Sequence, residues 1–153
     1  TIFLTPLFGS VYDKHGKGAT LMIIGSILLT LVHIVFALPI NSWLVAIVVM
    51  VILGIAFGLV PSAMWPSVPK IIPMQLLGTA YALIFYIQNI GLGMVPILIG
   101  KVNQANIGVD GNIDYTMSMT FFAIFGAIAI VISFLLLAED KKKGYGLQKS
   151  NIQ

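Results

Sequence analysis

The sequence predicts an all-α membrane protein, and two observations carry that prediction. The first is composition, because 59% of the 153 residues are hydrophobic and only 8% are charged, far from the usage of soluble domains. The second is the absence of charged side chains between Lys17 and Lys70, between Lys70 and Lys101, and between Asp114 and Glu139. Each interval has room for a helix of about 20 apolar residues, enough to cross about 30 Å of hydrocarbon.

These intervals predict four spanning helices, at about 18–38, 43–66, 76–101 and 115–138. The first interval is long enough for two of them, and Pro39-Ile-Asn-Ser42 is the natural break. Residues 1–8 are also apolar, but as a helix they would rise only about 12 Å. We therefore expect a partial fifth helix, about 4.5 transmembrane helices in all, and a chain that is a fragment of a longer protein. The predicted helical bundle covers residues 1–138, and residues 139–153 form a tail.

A charged segment follows the partial helix, and residues 9–17 read Gly-Ser-Val-Tyr-Asp-Lys-His-Gly-Lys. This G-x-x-x-D-K-x-G-K pattern resembles the cytoplasmic loop motif of the major facilitator superfamily. We expect Gly9 to let two helices approach closely, Gly16 to permit a tight turn, and Asp13, Lys14 and Lys17 to lie in a hydrated loop. The resemblance implies a transporter, of which this chain is part of the carboxyl-terminal bundle.

A second resemblance runs from Ala63-Met-Trp-Pro66 through Leu77-Gly-Thr-Ala-Tyr81 to Ile87-Gln-Asn-Ile-Gly-Leu92. These runs are similar, in the same order, to the branch of the superfamily that contains the lysosomal dipeptide transporter of animals. Ala82 stands where that branch has glycine. The loop motif has lysine where arginine is common, which keeps the charge but loses a forked donor.

Lysine positions predict the topology, because the chain has no arginine. If the first loop is cytoplasmic, alternate crossings leave only Lys101 outside and place seven lysines inside: Lys14, Lys17, Lys70, Lys141, Lys142, Lys143 and Lys149. This distribution obeys the positive-inside rule. The lysines of the tail then anchor the last helix at the cytoplasmic surface, or alternatively bind anionic lipid or a partner.

Several classes of function are disfavoured. The lysines lie at membrane edges and are not interleaved with aromatic side chains, so nucleic acid is not an expected partner. The chain has no cysteine, and His15 and His33 are too far apart in the predicted fold to share a metal ion. No cofactor, metal site or set of catalytic residues is predicted, so we expect a protein that is not an enzyme.

Helix 43–66 has features of a gate. Gly54 and Gly58 offer a close-packing face, Pro61 removes a backbone hydrogen bond, and Trp65 lies near the cytoplasmic end. Alternatively, glycine and proline are simply commoner in membrane helices, and Trp65 is an interfacial anchor.

Helix 76–101 carries the best candidates for a substrate cavity. Gln88 and Asn89 fall near its midpoint, where an amide exposed to lipid is costly, so we expect both to face protein or water. Tyr81 shares the face of Gln88, and Tyr86 lies near that of Asn89. The alternative is a structural hydrogen bond between neighbouring helices.

Two ionisable residues have candidate roles in the mechanism. The resemblance implies that Asp13 helps to hold an inner gate shut by pairing with a helix dipole in the upstream half of the chain; alternatively it is an N-cap or a plain loop charge. His33 lies alone near the outer end of its helix, where packing is favoured over proton coupling. The choice between proton coupling and facilitated diffusion stays open.

The functional prediction is alternating-access transport of a small polar solute, with a dipeptide as the substrate that the resemblance implies. The expected partners are this solute, membrane lipid and the missing amino-terminal half. The alternatives are another solute class, such as an organic anion or a sugar, and a noncatalytic membrane partner protein. The predicted location is an integral multi-pass position, in the inner membrane of a bacterium or the lysosomal membrane of an animal.

Overall fold

The computed structural model describes residues 3–40 and 42–152. Five helices follow one another along the chain: α1 (Leu4–His15), α2 (Gly18–Ala37), α3 (Trp43–Ile71), α4 (Leu77–Ala105) and α5 (Thr116–Lys143). A short 3-10 turn, Met74–Leu76, leads into α4. Within the described ranges, α2 to α5 are each long and apolar enough to cross a membrane. The predicted all-α membrane fold is confirmed.

The four spanning helices begin within one residue of their predicted starts, but most helices end later than predicted. α1 continues to His15, α3 to Ile71, α4 to Ala105 and α5 to Lys143. Residues 9–15 are therefore helix, and the predicted loop shrinks to Gly16 and Lys17. Polar residues at a membrane surface can extend a helix beyond its apolar span, which a hydropathy pattern does not reveal. Parts of the predicted partial helix, break and tail lie outside the described residues, at Thr1, Ile2, Asn41 and Gln153.

α3 continues through three internal prolines, Pro61, Pro66 and Pro69. The sequence predicts an end at about residue 66, and the helix continues beyond it although proline lacks an N–H and disrupts the bond to the carbonyl four residues earlier. Membrane helices tolerate proline where another group satisfies the freed carbonyl. Pro69 leaves the carbonyl of Trp65 without its helical donor, and the hydroxyl of Tyr81 on α4 donates to that oxygen at 3.2 Å. The carbonyl that Pro69 leaves free thus accepts the hydrogen bond that connects α4 to α3.

The centre of the bundle is α2, which packs against both α5 and α3, while α1 lies on α3. Glycines set the closeness of these contacts. A Cβ at Gly126 of α5 would lie 3.1 Å from Thr30 Cα on α2, and a Cβ at Gly25 would lie 2.6 Å from Val60 Cγ2 on α3. Small residues let membrane helices approach until their backbones are nearly in contact.

Three glycines are predicted from the sequence to lie at close contacts between helices, and one of them packs against another helix in the described chain. A Cβ at Gly58 would lie 3.1 Å from Phe8 Cδ2 on α1, so α1 approaches this glycine closely. Gly9 and Gly54 have no atom of the described chain within 4 Å of a Cβ position. For these two glycines a close contact between helices stays a prediction. Phe8, and not its neighbour Gly9, points toward α3.

α4 lies at the edge of the bundle, and none of its residues is buried within the described chain. Hydrogen bonds connect it to its neighbours near its two ends. Near the start Tyr81 reaches Trp65 of α3, and near the end Ser118 Oγ of α5 donates to Asn103 Oδ1 at 2.5 Å. The middle of α4 is therefore free of polar contacts with other helices in the described chain.

Replacing Gly126 with alanine is expected to lower the free energy of unfolding by about 1–3 kcal/mol, because the methyl group would press on the backbone of Thr30. Gly100→Ala is the matched control, since a Cβ there meets nothing within 4 Å. The control is expected to be neutral or slightly stabilising. Unfolding by sodium dodecyl sulfate in mixed micelles gives both values, and equal values would contradict the packing described for Gly126.

The Tyr81→Phe substitution is expected to cost about 0.5–1.5 kcal/mol of stability, because it removes one hydrogen bond but keeps the ring. The cost is expected to shrink in a Pro69→Ala background, where the restored N–H supplies the carbonyl of Trp65 from within α3. A double-mutant cycle on the same unfolding assay measures this coupling. An undiminished cost in the Pro69→Ala background would show that the proline and the tyrosine are independent.

Candidate functional site

Gln88 lies close to the middle of α4 and lines an open cavity of about 440 Å³. The other lining residues are apolar or glycine: Gly91, Leu92, Val95, Pro96 and, from α5, Phe122. Gln88 is exposed in the described chain. A carboxamide in this position can both donate to and accept from a polar molecule in the cavity.

Asn89, the neighbouring amide, is partly satisfied by its own helix. Its Nδ2 donates to the carbonyl of Phe85 at 2.7 Å, one turn earlier. This bond lowers the cost of placing an amide at membrane depth, so the argument that Asn89 needs an external partner loses part of its force. The second N–H and Oδ1 are still available to a ligand. The alternative prediction, a bond to a neighbouring helix, is not seen within the described chain.

The two tyrosines assigned to the same site occupy different environments. Tyr81 lies toward the start of α4, and its hydroxyl is engaged with the carbonyl of Trp65. Tyr86 is 66% exposed and lies three residues before Asn89. The cavity at Gln88 is lined by neither of them. Their assignment to a substrate cavity therefore stays a prediction, and for Tyr81 the structure shows a link between helices instead.

Trp65 packs into a small aromatic group and is not simply an anchor in the lipid interface. Its ring stacks on Phe85 with centroids 4.9 Å apart and lies 5.8 Å from the ring of Tyr81. We call these three side chains the aromatic cluster. Phe85 was missed by the sequence analysis, although its position four residues after Tyr81 places both rings on one helix face. The cluster joins α3 to α4 between the midpoint and the inner end, where the inner end is the one that carries the α1–α2 turn and Lys70.

The other residues predicted to form a gate, Gly54, Gly58 and Pro61, also lie on α3. Pro61 has no N–H for the carbonyl of Phe57, which interrupts the hydrogen-bond ladder of the helix. Gly58, three residues earlier, is covered by α1. Proline is a common cause of helix bends, and the assignment of these residues to a gate stays a prediction.

The turn between α1 and α2 contains Gly16, and Asp13 lies just before it. Gly16 has φ +70°, and Lys17 beside it is left-handed with φ +61°. Asp13 lies in the last turn of α1, so it is not an N-cap. Its Oδ1 accepts a hydrogen bond of 2.7 Å from Nδ2 of Asn151, a residue of the tail. The partner of Asp13 in this structure is therefore near the carboxyl end of the chain, and a pairing with an upstream helix stays a prediction. Lys14 and Lys17 are exposed.

His33 has the environment of a packed side chain. Its Nδ1 lies 2.7 Å from the carbonyl of Leu29, so the ring donates from that nitrogen. The ring also lies 5.3 Å from Phe122 at one wall of an apolar cavity of about 450 Å³. These contacts agree with the packing role favoured by the sequence.

The outer loop between α4 and α5 is acidic and remains ionised. The side chain and then the backbone of Asn112 donate to Asp110 and hold the pKa of its carboxyl below the ordinary value. Thr116 does the same for Asp114 and lowers its pKa. No group of three or more potential metal ligands occurs among residues 3–40 and 42–152.

Comparison with known proteins gives consistent matches over nearly the whole chain. The Major Facilitator Superfamily profile matches residues 1–150. The proteins named lysosomal dipeptide transporter MFSD1 are 30% identical over 149 residues in Mus musculus, 33% over 148 residues in Bos taurus and 29% over 149 residues in Homo sapiens. Each alignment covers 96% of this chain.

The chain spans about 30% of the length of these curated relatives. No solved structure matches it. The resemblance drawn from residues 9–17 and 63–92 is confirmed by the profile and by the relatives. Together with the helical fold, these matches establish an integral membrane protein, and the chain belongs to the Major Facilitator Superfamily.

Proposed function

We propose that this chain forms part of a transporter that moves a small polar solute across a membrane by alternating access. The observation that carries the proposal is the carboxamide of Gln88 on an open cavity of about 440 Å³ in the middle of α4. Binding sites for solutes in such transporters lie near the midplane of the membrane. Helix α4 also has its hydrogen bonds to other helices near its ends, so its centre can contact a solute without losing a contact within the bundle.

The aromatic cluster and the prolines of α3 support the conformational change that alternating access requires. Alternating access requires the inner end of the pathway to open and close. The inner third of α3 has an interrupted hydrogen-bond ladder, and the aromatic cluster connects it to α4. A bend in α3 would therefore move the inner half of the helix that carries Gln88.

Dipeptides are the proposed substrate class, because the relatives are named lysosomal dipeptide transporters. A dipeptide is zwitterionic, and its two charged ends need ionised partners when they leave water. The cavity lining at Gln88 is uncharged. It fits the peptide group of a dipeptide, whose N–H and C=O match the two halves of a carboxamide, and the ionised partners would be contributed by other residues.

An uncharged polar solute, such as a sugar, is the second candidate, and the uncharged lining of the cavity favours it. Hydroxyl groups can bond to the carboxamides of Gln88 and Asn89 without any ionised partner. The proposed location is the lysosomal membrane if the protein comes from an animal, and the inner membrane if it comes from a bacterium.

Uptake into proteoliposomes tests the proposal, with the protein expressed together with any sequence that flanks residues 1–153 in its gene. Saturable uptake of labelled dipeptides is expected, and Gln88→Leu is expected to lower kcat/KM about tenfold or more, since one hydrogen bond of about 1.4 kcal/mol corresponds to that factor. Asn89→Leu is expected to have a smaller effect, because one of its N–H groups is already engaged with Phe85. Parallel assays with and without a pH gradient show whether uptake is coupled to protons.

Thr120→Val is the matched control for Asn89→Leu. Thr120 is also exposed on a helix and also bonds to a carbonyl one turn earlier, at 2.8 Å, but it lies outside the cavity at Gln88. Normal uptake by this variant is expected. Uptake of sugars and not of dipeptides would select the second candidate, and absence of uptake of either by the folded protein would reject transport of these solutes.

A further inference from the structure

The segment after α5, residues 144–152, turns back along the inner end of the bundle. We call this segment the strap. Gly144 and Gly146 have φ values of +69° and +80°, which reverse the chain direction. The carboxylate of Asp140, itself only 6% exposed, then accepts a hydrogen bond of 3.0 Å from the N–H of Leu147. The tail predicted from the sequence is therefore an ordered element, tied to the end of α5.

The strap caps the first turn of α2. Helix N-termini leave N–H groups without partners inside the helix, and α2 has no side-chain cap. The N–H of Gly18 donates to the carbonyl of Leu147 at 2.8 Å, and the N–H of Lys17 donates to that of Gln148 at 3.1 Å. The hydroxyl of Thr20 adds a bond of 3.1 Å to the side-chain oxygen of Gln148.

α1 and α3 hold the other side of the strap. The carbonyl of Asp13 on α1 accepts the N–H groups of Asn151 and Ile152 at 2.9 and 3.1 Å. On α3, Nζ of Lys70 donates to the carbonyls of Lys149 at 2.8 Å and of Gly146 at 3.2 Å. The strap thus contacts four helices, α1, α2, α3 and α5.

The contacts have the character of a reversible attachment. Leu147 is the one apolar side chain of the described strap that is fully buried. Beyond the backbone bond that ends α5, the hydrogen bonds of the strap with the bundle are four between backbone groups and five that involve a side chain. The bonds of Lys70 to Lys149 and of Asn151 to Asp13 are exposed, so water can replace them. Nε2 of Gln148 is buried without a hydrogen-bond partner in the described chain. Burial of an amide that stays unpaired costs free energy, which offsets part of the stabilisation gained on docking.

The position of Lys70 connects the strap to the bending part of α3. Lys70 follows Pro69 directly and lies beyond Pro61, so a bend at these prolines displaces its ammonium group. The carbonyls that it binds belong to a segment that is also bonded to α1, α2 and α5. A displacement of the inner end of α3 larger than the Lys70 side chain can span would therefore break either these two bonds or the bonds of the strap to α1, α2 and α5.

We propose that the strap is a releasable lock on the inner end of this bundle, held to α3 by Lys70, and that it undocks when the inner end of α3 moves. The link to transport rests on the proposed function, but the docking and release of the strap do not. In the docked state the lock holds the inner ends of four helices together and stabilises one of the two access states.

Hydrogen–deuterium exchange in proteoliposomes tests the lock without any substrate. The N–H groups of Gly18 and Leu147 are expected to exchange at least tenfold faster than those in the middle of α2, and at least tenfold slower than in an unstructured peptide. Lys70→Met is expected to accelerate them at least tenfold. Lys101→Met, a lysine at the outer end of α4, is the matched control and is expected to leave them unchanged.

Reversible cross-linking tests the link to transport. The chain has no cysteine, so Thr20→Cys with Gln148→Cys provides a specific pair once any flanking cysteines are replaced by serine. A short bifunctional methanethiosulfonate joins the pair and a reductant frees it. We expect the joined protein to lose at least tenfold in uptake and to recover on reduction, whereas each single variant is unaffected by the reagent.

Three results would overturn the proposal: strap amides as protected as the middle of α2, strap amides that exchange like a free peptide, or equal uptake by the joined and reduced proteins. Strong protection would mean that the strap stays docked permanently, and exchange like a free peptide would mean that it does not dock. Equal uptake would mean that docking of the strap has no effect on transport. If the reduced protein takes up no solute, the proposed function fails, and the exchange result alone still decides whether the strap docks and releases.

Discussion

The constraint on which the rest of this structure depends is that polar groups inside lipid must find their partners within the protein. The chain meets this constraint mostly within single helices. Thr30, His33, Asn89 and Thr120 all bond to the carbonyl one turn earlier in the same helix. Where the backbone ladder fails, a neighbouring helix can supply the missing donor, as when the hydroxyl of Tyr81 donates to the carbonyl left by Pro69. The polar contacts between helices are therefore few, and glycines determine most of the packing.

Because most polar groups bond within their own helix, much of the fold could be predicted from the sequence. Helix number, type and starting points follow from apolar length and from the positions of charges, because both are local properties of the chain. The later ends of α3 and α5 do not follow, since polar and charged residues continue both helices beyond their apolar spans. Asp13 shows another limit, because its partner Asn151 is 138 residues away and no periodicity connects them.

The candidate site was predictable in part and for the same reason. Amides near the middle of an apolar helix are conspicuous, and one of them, Gln88, does line a cavity. Whether an amide is already satisfied depends on its rotamer, which the sequence does not specify. The structure separates two neighbours that the sequence treats alike, because Asn89 bonds to its own helix and Gln88 faces open space. It likewise separates Tyr81, which links helices, from Tyr86, which is exposed.

The cap on α2 also bears on how the protein is made. The side chains of Thr20 and Gln148, which meet at the first turn of α2, are 128 residues apart in the chain. At roughly 5–20 residues per second, a ribosome completes that interval many seconds after α2 has been synthesised. α2 therefore enters the membrane with its first turn uncapped, and its inner end acquires its final hydrogen bonds only when α5 and the residues after it have arrived. The hydrogen bonds at this end of α2 therefore form late in synthesis, after α5 and the residues that follow it have been made.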